Sequence, residues 1–304
     1  MMTGRYKKKQ GKWGYSMTKK IAVINDLSGF GRCSLTAAIS VISAMGVQPC
    51  ALPTAILSAQ TGYASYYCDD YTDKMKLIQR EWEKMGVSFD GIYTGFVASE
   101  EQIENIFSFL HSFYKKNTFL LVDPVLGDNG KVYSMYTDRL CSLMKELVKK
   151  ADVITPNLTE LCLLTGTDYR MIQQMTKEQH LLKIITQMSE NILSLGPKTV
   201  VVTGIHFLDE KDNIQKMGNL AVSKNSSVLS AFPSIGGSYS GTGDLFASVI
   251  AAGMARGEQT ADSMKLAGKF ISYAVADSAE KQIPRNDGIN YEQYLGMLAP
   301  ARSV

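Results

Sequence analysis

A chain of 304 residues with 45% hydrophobic content can bury one large core. Its formal net charge of +3 depends on a leader in which Arg5, Lys7, Lys8, Lys9, Lys12, Lys19 and Lys20 precede the first apolar run. Without them the body is mildly acidic, so nothing in the charge calls for a nucleic-acid partner, and no apolar stretch has the length of a secretory signal or a membrane span.

The expectation is therefore a soluble, cytoplasmic protein with no membrane partner. Residues 1–19 are expected to stay outside the fold as disordered or non-native chain, and Met17-Thr18-Lys19-Lys20-Ile21 reads as a natural start. Residues 20–304 are expected to form a single domain. The cysteines Cys33, Cys50, Cys68, Cys141 and Cys162 are scattered, odd in number and without a Cys-x-x-Cys pair, so reduced thiols are the default. His111, His180 and His206 have no Cys or Glu at a ligand spacing, which argues against zinc.

In chain order, short β-branched runs alternate with longer stretches of helical period. This pattern predicts a three-layer α/β/α architecture around a mostly parallel sheet. A strand over 21–24 precedes a helix over 35–45 closed by Gly46. A second strand lies within 49–57, and a helix over 72–85 ends at Gly86. After a strand over 89–94, Ser99 caps a helix reaching Lys115, with Gln102 completing a capping box.

The strand over 118–122 delivers Asp123 and Pro124 at its C-terminal end. A helix over 137–150, a strand over 152–155, a short helix over 158–164 and a longer one over 177–195 lead to a strand over 199–203. The stretch 218–232 alternates like an antiparallel pair about Asn225-Ser226. A Gly/Ser-rich loop then opens onto helices over 244–255 and 261–277. Parallel crossovers gather the strand ends on one edge, where ligands bind in open α/β sheets.

Three segments on that edge carry chemistry. Gly241-Thr242-Gly243-Asp244 stands before an apolar run of helical length. Glycines let successive N–H groups converge, and the helix N-terminus adds partial positive charge, so the segment reads either as an anion hole or as a plain Gly-rich loop with an N-cap Asp. Asp123-Pro124-Val125-Leu126-Gly127-Asp128 offers two hard carboxylates at a strand end, suited to Mg²⁺ beside phosphates, or alternatively a turn rich in Asp, Gly and Asn. Asn157 and Glu160 form a capping box that is compatible with Glu160 also holding metal-bound water. A Gly-x-x-x-x-Gly-Lys-Ser/Thr phosphate loop and the three-glycine dinucleotide fingerprint are both missing.

On these residues, together with Asn25-Asp26-Leu27-Ser28-Gly29, Ser58-Ala59-Gln60-Thr61-Gly62-Tyr63 and Thr94-Gly95, the chain resembles the pyridoxal kinase family of the ribokinase-like superfamily, in its bacterial form. The resemblance runs from Lys20 to about Ala276. It implies ATP-dependent phosphorylation of the 5′-hydroxymethyl of pyridoxal, pyridoxamine or pyridoxine.

Residue by residue, the resemblance makes Asp244 the base and Gly241, Thr242 and Gly243 the anion hole. Asp123, Asp128 and Glu160 would organise Mg²⁺ and its waters. Asn157 would approach the phosphates, Thr203 would lie on the nucleotide side, and Tyr136 falls in the segment that covers the phosphates. Asp26, Ser58, Gln60, Thr61 and Phe96 would face the substrate ring. A K⁺ requirement and a homodimer are implied in the same way.

Gln60, Asp26 and Phe96 depart from the His, Ser and Tyr of animal pyridoxal kinases, which touches substrate preference and leaves the reaction type standing. Asp26-Leu27-Ser28-Gly29 resembles the first loop of hydroxymethylpyrimidine kinases, the competing enzymatic reading. A vitamer-binding regulator without catalysis is the third.

Overall fold

The computed structural model describes residues 18–133, 137–175, 178–209, 211–235 and 237–300. Tyr136 and residues 1–17 lie outside them. The first strand, β1 (Lys20–Ser28), lies inside the sheet, and its residues are apolar toward both faces: Ala22 and Ile24 enter one core, Ile21 and Val23 the other. Helix α1 (Ser34–Ala44) returns the chain to β2 (Gln48–Leu57), parallel to β1. The short β3 (Cys68–Asp70) pairs antiparallel on its outer side.

Helix α2 (Thr72–Lys84), strand β4 (Gly91–Thr94), helix α3 (Glu100–Phe113) and strand β5 (Phe119–Val122) continue the alternation. Then come the two-residue strands β6 (Gly127–Asp128) and β7 (Lys131–Val132), helix α4 (Asp138–Val148), strand β8 (Val153–Ile154) and helices α5 (Leu158–Thr165), α6 (Tyr169–Gln173) and α7 (Glu178–Leu193). An antiparallel meander, β9 (Thr199–Asp209), β10 (Ile214–Ser223) and β11 (Ser226–Pro233), precedes α8 (Thr242–Arg256) and α9 (Thr260–Glu280). The main sheet has nine strands in the order β11-β10-β9-β8-β5-β4-β1-β2-β3. Its central pairs are all parallel.

Helices α1, α8 and α9 cover one face through residues such as Leu35, Ile250 and Phe270. The opposite face carries α2, α3, α4, α5 and α7 through Met75, Phe109, Met144, Leu161 and Ile185. Among the described residues no helix is long and apolar enough to cross a membrane, and all five cysteines are free.

The predicted strands and helices are present, with four differences. Strand β9 runs on to Asp209, past Gly204 at φ +66°. Helix α6 and strand β3, too short for periodicity to reveal, were not expected. Strands β6 and β7 were not expected either; Asn129-Gly130, in the segment read as a turn, is the turn of the hairpin they form, and both residues have positive φ (50° and 76°), the requirement of the tight turn that favours Asn-Gly. At α3, Ser99 does accept from Gln102 N–H, but the Gln102 side chain accepts from Ala98 N–H at 2.8 Å and donates to Thr54 and Thr72. Its pull toward β2 and α2 leaves the capping box open.

Candidate active site

The C-terminal ends of the parallel strands border a cleft of about 1020 Å³. On one wall, β1 ends in a side-chain hub. Asn25 is fully buried; its amide donates to Asp244 Oδ1 at 2.9 Å, while its carbonyl oxygen accepts from Asp26 N–H at 3.0 Å and Phe96 N–H at 2.8 Å. A Cβ on Gly95 would lie 2.5 Å from the Asn25 amide nitrogen, so glycine there is what lets Asn25 sit at this height. The β1–β2 register slips between Asn25 and Leu27, and such a bulge re-aims a side chain. Asp26, at the slip, is buried and accepts from Ser28 Oγ at 2.9 Å. Burial pushes its carboxyl up, against the lowering effect of hydrogen bonds from Ser34 and Ser28.

Beside this hub, α8 begins without a side-chain cap. Its N-cap is Gly241, left-handed at φ +83°, where a Cβ would meet the Arg32 carbonyl oxygen at 2.0 Å. The first-turn N–H groups of a helix have no intrahelical partner, and here the N-cap supplies no side-chain hydrogen bond to them among the described residues. Asp244, in the first turn, is lifted to about 6 by burial first and by the Asp26 charge, against hydrogen bonds from Ser34 N–H and Asn25.

Asp123 leaves the end of β5 toward the same helix. It is 7% exposed, accepts from Thr155 Oγ1 at 3.1 Å, and its Oδ2 stands 3.9 Å from where a Gly243 Cβ would be. Burial and then the Asp244 charge push it up to about 8.

Asn157 and Glu160 form the expected capping box on α5. Glu160 accepts from Asn157 N–H at 2.8 Å and Leu126 N–H at 3.1 Å, so both carboxylate oxygens hold backbone. Burial and then the Asp123 charge raise its carboxyl well above the usual range. The Asn157 amide donates to the Gly127 carbonyl at 2.9 Å. Thr203 lines the cleft beside it, bridging in parallel register to Asn157. Asp128, at the β6–β7 turn, accepts from Asn129.

Among the described residues no three His, Cys, Asp or Glu side chains converge enough to hold a metal ion by themselves. Yet the charges of Asp244, Asp123 and Glu160 act on one another in sequence. That donor set fits a cation that draws its remaining ligands from phosphate and water.

Gln60, Thr61 and Phe96 line the same cleft. Gln60 also ties its loop down, accepting from Gly62 N–H at 2.7 Å and donating to the Asn286 carbonyl at 3.1 Å. Ser58 does not line the cleft: its hydroxyl accepts from Tyr67 N–H at 2.8 Å and folds the following loop back.

Sequence reasoning missed Asn25 as a site residue, although an amide ending an Ile-Ala-Val-Ile run was a visible signal. It also missed Asn219, buried, accepting from Gly204 N–H at 3.2 Å at a bulge between β9 and β10. The third miss, Arg285 and Asn286, which also line the cleft, carries no motif and is brought in by tertiary hydrogen bonds to Ser240 and Gln60.

The signature of the phosphomethylpyrimidine kinase family matches residues 31–288. A putative phosphomethylpyrimidine kinase from Bacteroides thetaiotaomicron superposes with a TM-score of 0.85 at 34% identity, covering 97% of this chain and 98% of that one. The same protein in a crystal form with pyridoxal gives 0.84, covering 95% and 98%. Pyridoxal kinase from Lactobacillus plantarum gives 0.79 at 28% identity over 93% and 97%. A putative pyridoxal kinase of Schizosaccharomyces pombe is 32% identical over 171 residues, 55% of this chain, and the match spans about half (47%) of that protein. The chain belongs to the phosphomethylpyrimidine kinase family, and its fold is ribokinase-like.

Proposed function

We propose that the protein transfers the γ-phosphate of ATP to the 5′-hydroxymethyl of a B6 vitamer, giving the 5′-phosphate. The observation that carries this reading is the bare N-terminus of α8 with Asp244 beside it. A carboxylate near 6 is mostly ionised at neutral pH and still basic enough to take a proton in the transition state. The hydroxymethyl oxygen forms the new bond to phosphorus, its proton goes to Asp244, and the bond from phosphorus to the ADP oxygen breaks. The N–H groups of Gly241, Thr242 and Gly243 face the charge on the phosphoryl group, worth about 3–4 kcal/mol by analogy with oxyanion holes.

Mg²⁺ held through Asp123, with Asp128 and Glu160 organising its waters, would neutralise phosphate charge. Asn157 and Thr203 border the nucleotide side; Tyr136, outside the described residues, is assigned to covering the phosphates by the family resemblance alone. Asp26, Gln60, Thr61 and Phe96 hold the ring, and Ser58 acts by shaping their loop. Homodimeric assembly, K⁺ dependence and a cytoplasmic location are proposed on the family resemblance.

The B6 reading draws support from the relative crystallised with pyridoxal. The competing reading, hydroxymethylpyrimidine as substrate, draws on Asp26, whose buried carboxylate suits a ring amine as well as a ring hydroxyl. A pocket that hydrogen-bonds one such group rejects analogues lacking it strongly.

An ATP-coupled assay on pyridoxal, pyridoxamine, pyridoxine and hydroxymethylpyrimidine decides. At least one B6 vitamer should have a higher kcat/KM than the pyrimidine. A tenfold or greater preference for the pyrimidine moves the protein to that branch, and ATP consumption with none of the four supports a non-catalytic binder.

A further inference from the structure

The described cleft is lined by five carboxylates, Asp26, Asp123, Asp128, Glu160 and Asp244, and by a single Lys or Arg, Arg285. ATP brings several negative charges into this surrounding, so the lone guanidinium stands out. Its position is unusual in a second respect, because the backbone beneath it is pinned from several sides while the side chain is loosely held.

Ser240 N–H, one residue before the bare glycine cap, donates to the Arg285 carbonyl at 3.1 Å. Next to it, the Asn286 carbonyl accepts from Gln60 at 3.1 Å, the Asn286 amide donates to the Gly62 carbonyl at 2.7 Å, and Asp287 accepts from the Tyr63 hydroxyl. The Arg285 side chain, 61% exposed, reaches Asp128 at only 3.8 Å. An exposed ion pair of that length contributes little to stability, so the contact does not explain why a cation stands there. It does show the span available to it: from a base hydrogen-bonded beside the anion hole to the acidic turn on the other side of the cleft.

We propose that Arg285 is a phosphate-binding residue, its guanidinium leaving Asp128 to grip the phosphate chain of the nucleotide between the α8 N-terminus and the β6–β7 turn. Planar, forked donors match phosphate oxygens in two-point contacts, and moving from Asp128 to a phosphate needs only side-chain rotation over a fixed backbone.

The inference rests on the kinase reading, and its test separates the two. Wild-type protein and Arg285→Gln are titrated with ATP and, separately, with adenosine, alongside steady-state turnover on the preferred vitamer. Arg285→Gln is expected to weaken ATP roughly tenfold, the scale of a charge-assisted hydrogen-bond pair, and to leave adenosine within twofold. Arg285→Lys, which keeps the charge without the fork, is expected to recover part of the ATP affinity.

ATP affinity and turnover within twofold of wild type in Arg285→Gln overturn the proposal. So does equal loss of ATP and adenosine in both variants with a lowered thermal midpoint, which would mark a structural role. Wild-type ATP binding without vitamer-dependent turnover would instead count against the kinase reading, while the ATP-against-adenosine contrast still reports on Arg285.

Discussion

Two helices start on the same sheet edge and end their first turns in opposite ways. At α5, Asn157 and Glu160 close the helix on itself: each side chain accepts a backbone N–H of the other. At α8, Gly241 offers no side chain, and the first turn is left open toward the cleft. A satisfied terminus stabilises a fold, whereas an unsatisfied one facing a cleft is available to an anion. The two helix starts are therefore distinguished by which first-turn N–H groups their caps occupy.

The largest effect should follow removal of the carboxylate beside the open terminus. Asp244→Ala is expected to lower kcat by a factor of about 10²–10⁴, with ATP affinity little changed. Gly241→Ala should come next. The added methyl meets the Arg32 carbonyl and sits at φ +83°, so kcat should fall about 10²-fold, with stability reduced by about 1–2 kcal/mol for left-handed strain. Near-normal turnover in Gly241→Ala would show that the glycine serves the turn alone.

At the closed terminus the balance should reverse. Glu160→Gln removes an acceptor from one of two backbone N–H groups and is expected to cost roughly 1–3 kcal/mol of stability. By deleting a negative charge next to Asp123 it should also raise the Mg²⁺ concentration for half-maximal activity severalfold. An unchanged metal titration with lowered stability would leave Glu160 a capping residue only.

Acidity sharpens the contrast further. Turnover should rise with pH through the Asp244 value of about 6, because the base must be ionised. Asp26→Asn takes away a charge that raises Asp244, so the acid limb of the kcat profile should move to lower pH. An unmoved limb would assign the titration to another group.

Asp123 bears on stability. Its folded-state pKa, about 8, lies above its ordinary value of 3.8, so the folded protein holds a proton the unfolded chain releases. Stability from this source is fully present below the ordinary value and is lost as pH rises through about 8. In metal-free buffer Asp123→Asn should therefore raise stability at alkaline pH by on the order of 1–3 kcal/mol, seen as a higher thermal midpoint. Thermal scans from acid to alkaline pH check this, and a lowered midpoint at alkaline pH contradicts it.

Much of this was legible in the sequence because local signals and tertiary outcome agree. The apolar runs at Ile21–Ile24 and Leu120–Val122 are buried on both faces, and Gly241 to Asp244 opens a helix as glycine and helix chemistry require. Asp26 reaches the cleft from the irregular end of β1, and Gln60, Thr61 and Phe96 from loops that follow strand ends. Ser58 does not, because a loop hydroxyl can turn to either side and here Tyr67 N–H captures it. Asn25 and Arg285 were missed as site residues for different reasons: the first, though an amide at the end of an apolar run, reads as the end of a strand, and the second is far in sequence from every motif and is held at the cleft by tertiary hydrogen bonds from Ser240 N–H to its own carbonyl and from Gln60 to Asn286.

The most direct test of the contrast between the termini measures kcat and thermal midpoint side by side on Asp244→Asn and Asn157→Ala. The open terminus should show a kcat loss of at least about 10²-fold with little loss of stability. The closed one should lose about 0.5–2 kcal/mol of stability with a far smaller change in kcat. Comparable kcat losses in both variants, or near-full turnover in Asp244→Asn, would contradict the assignment of chemistry to α8.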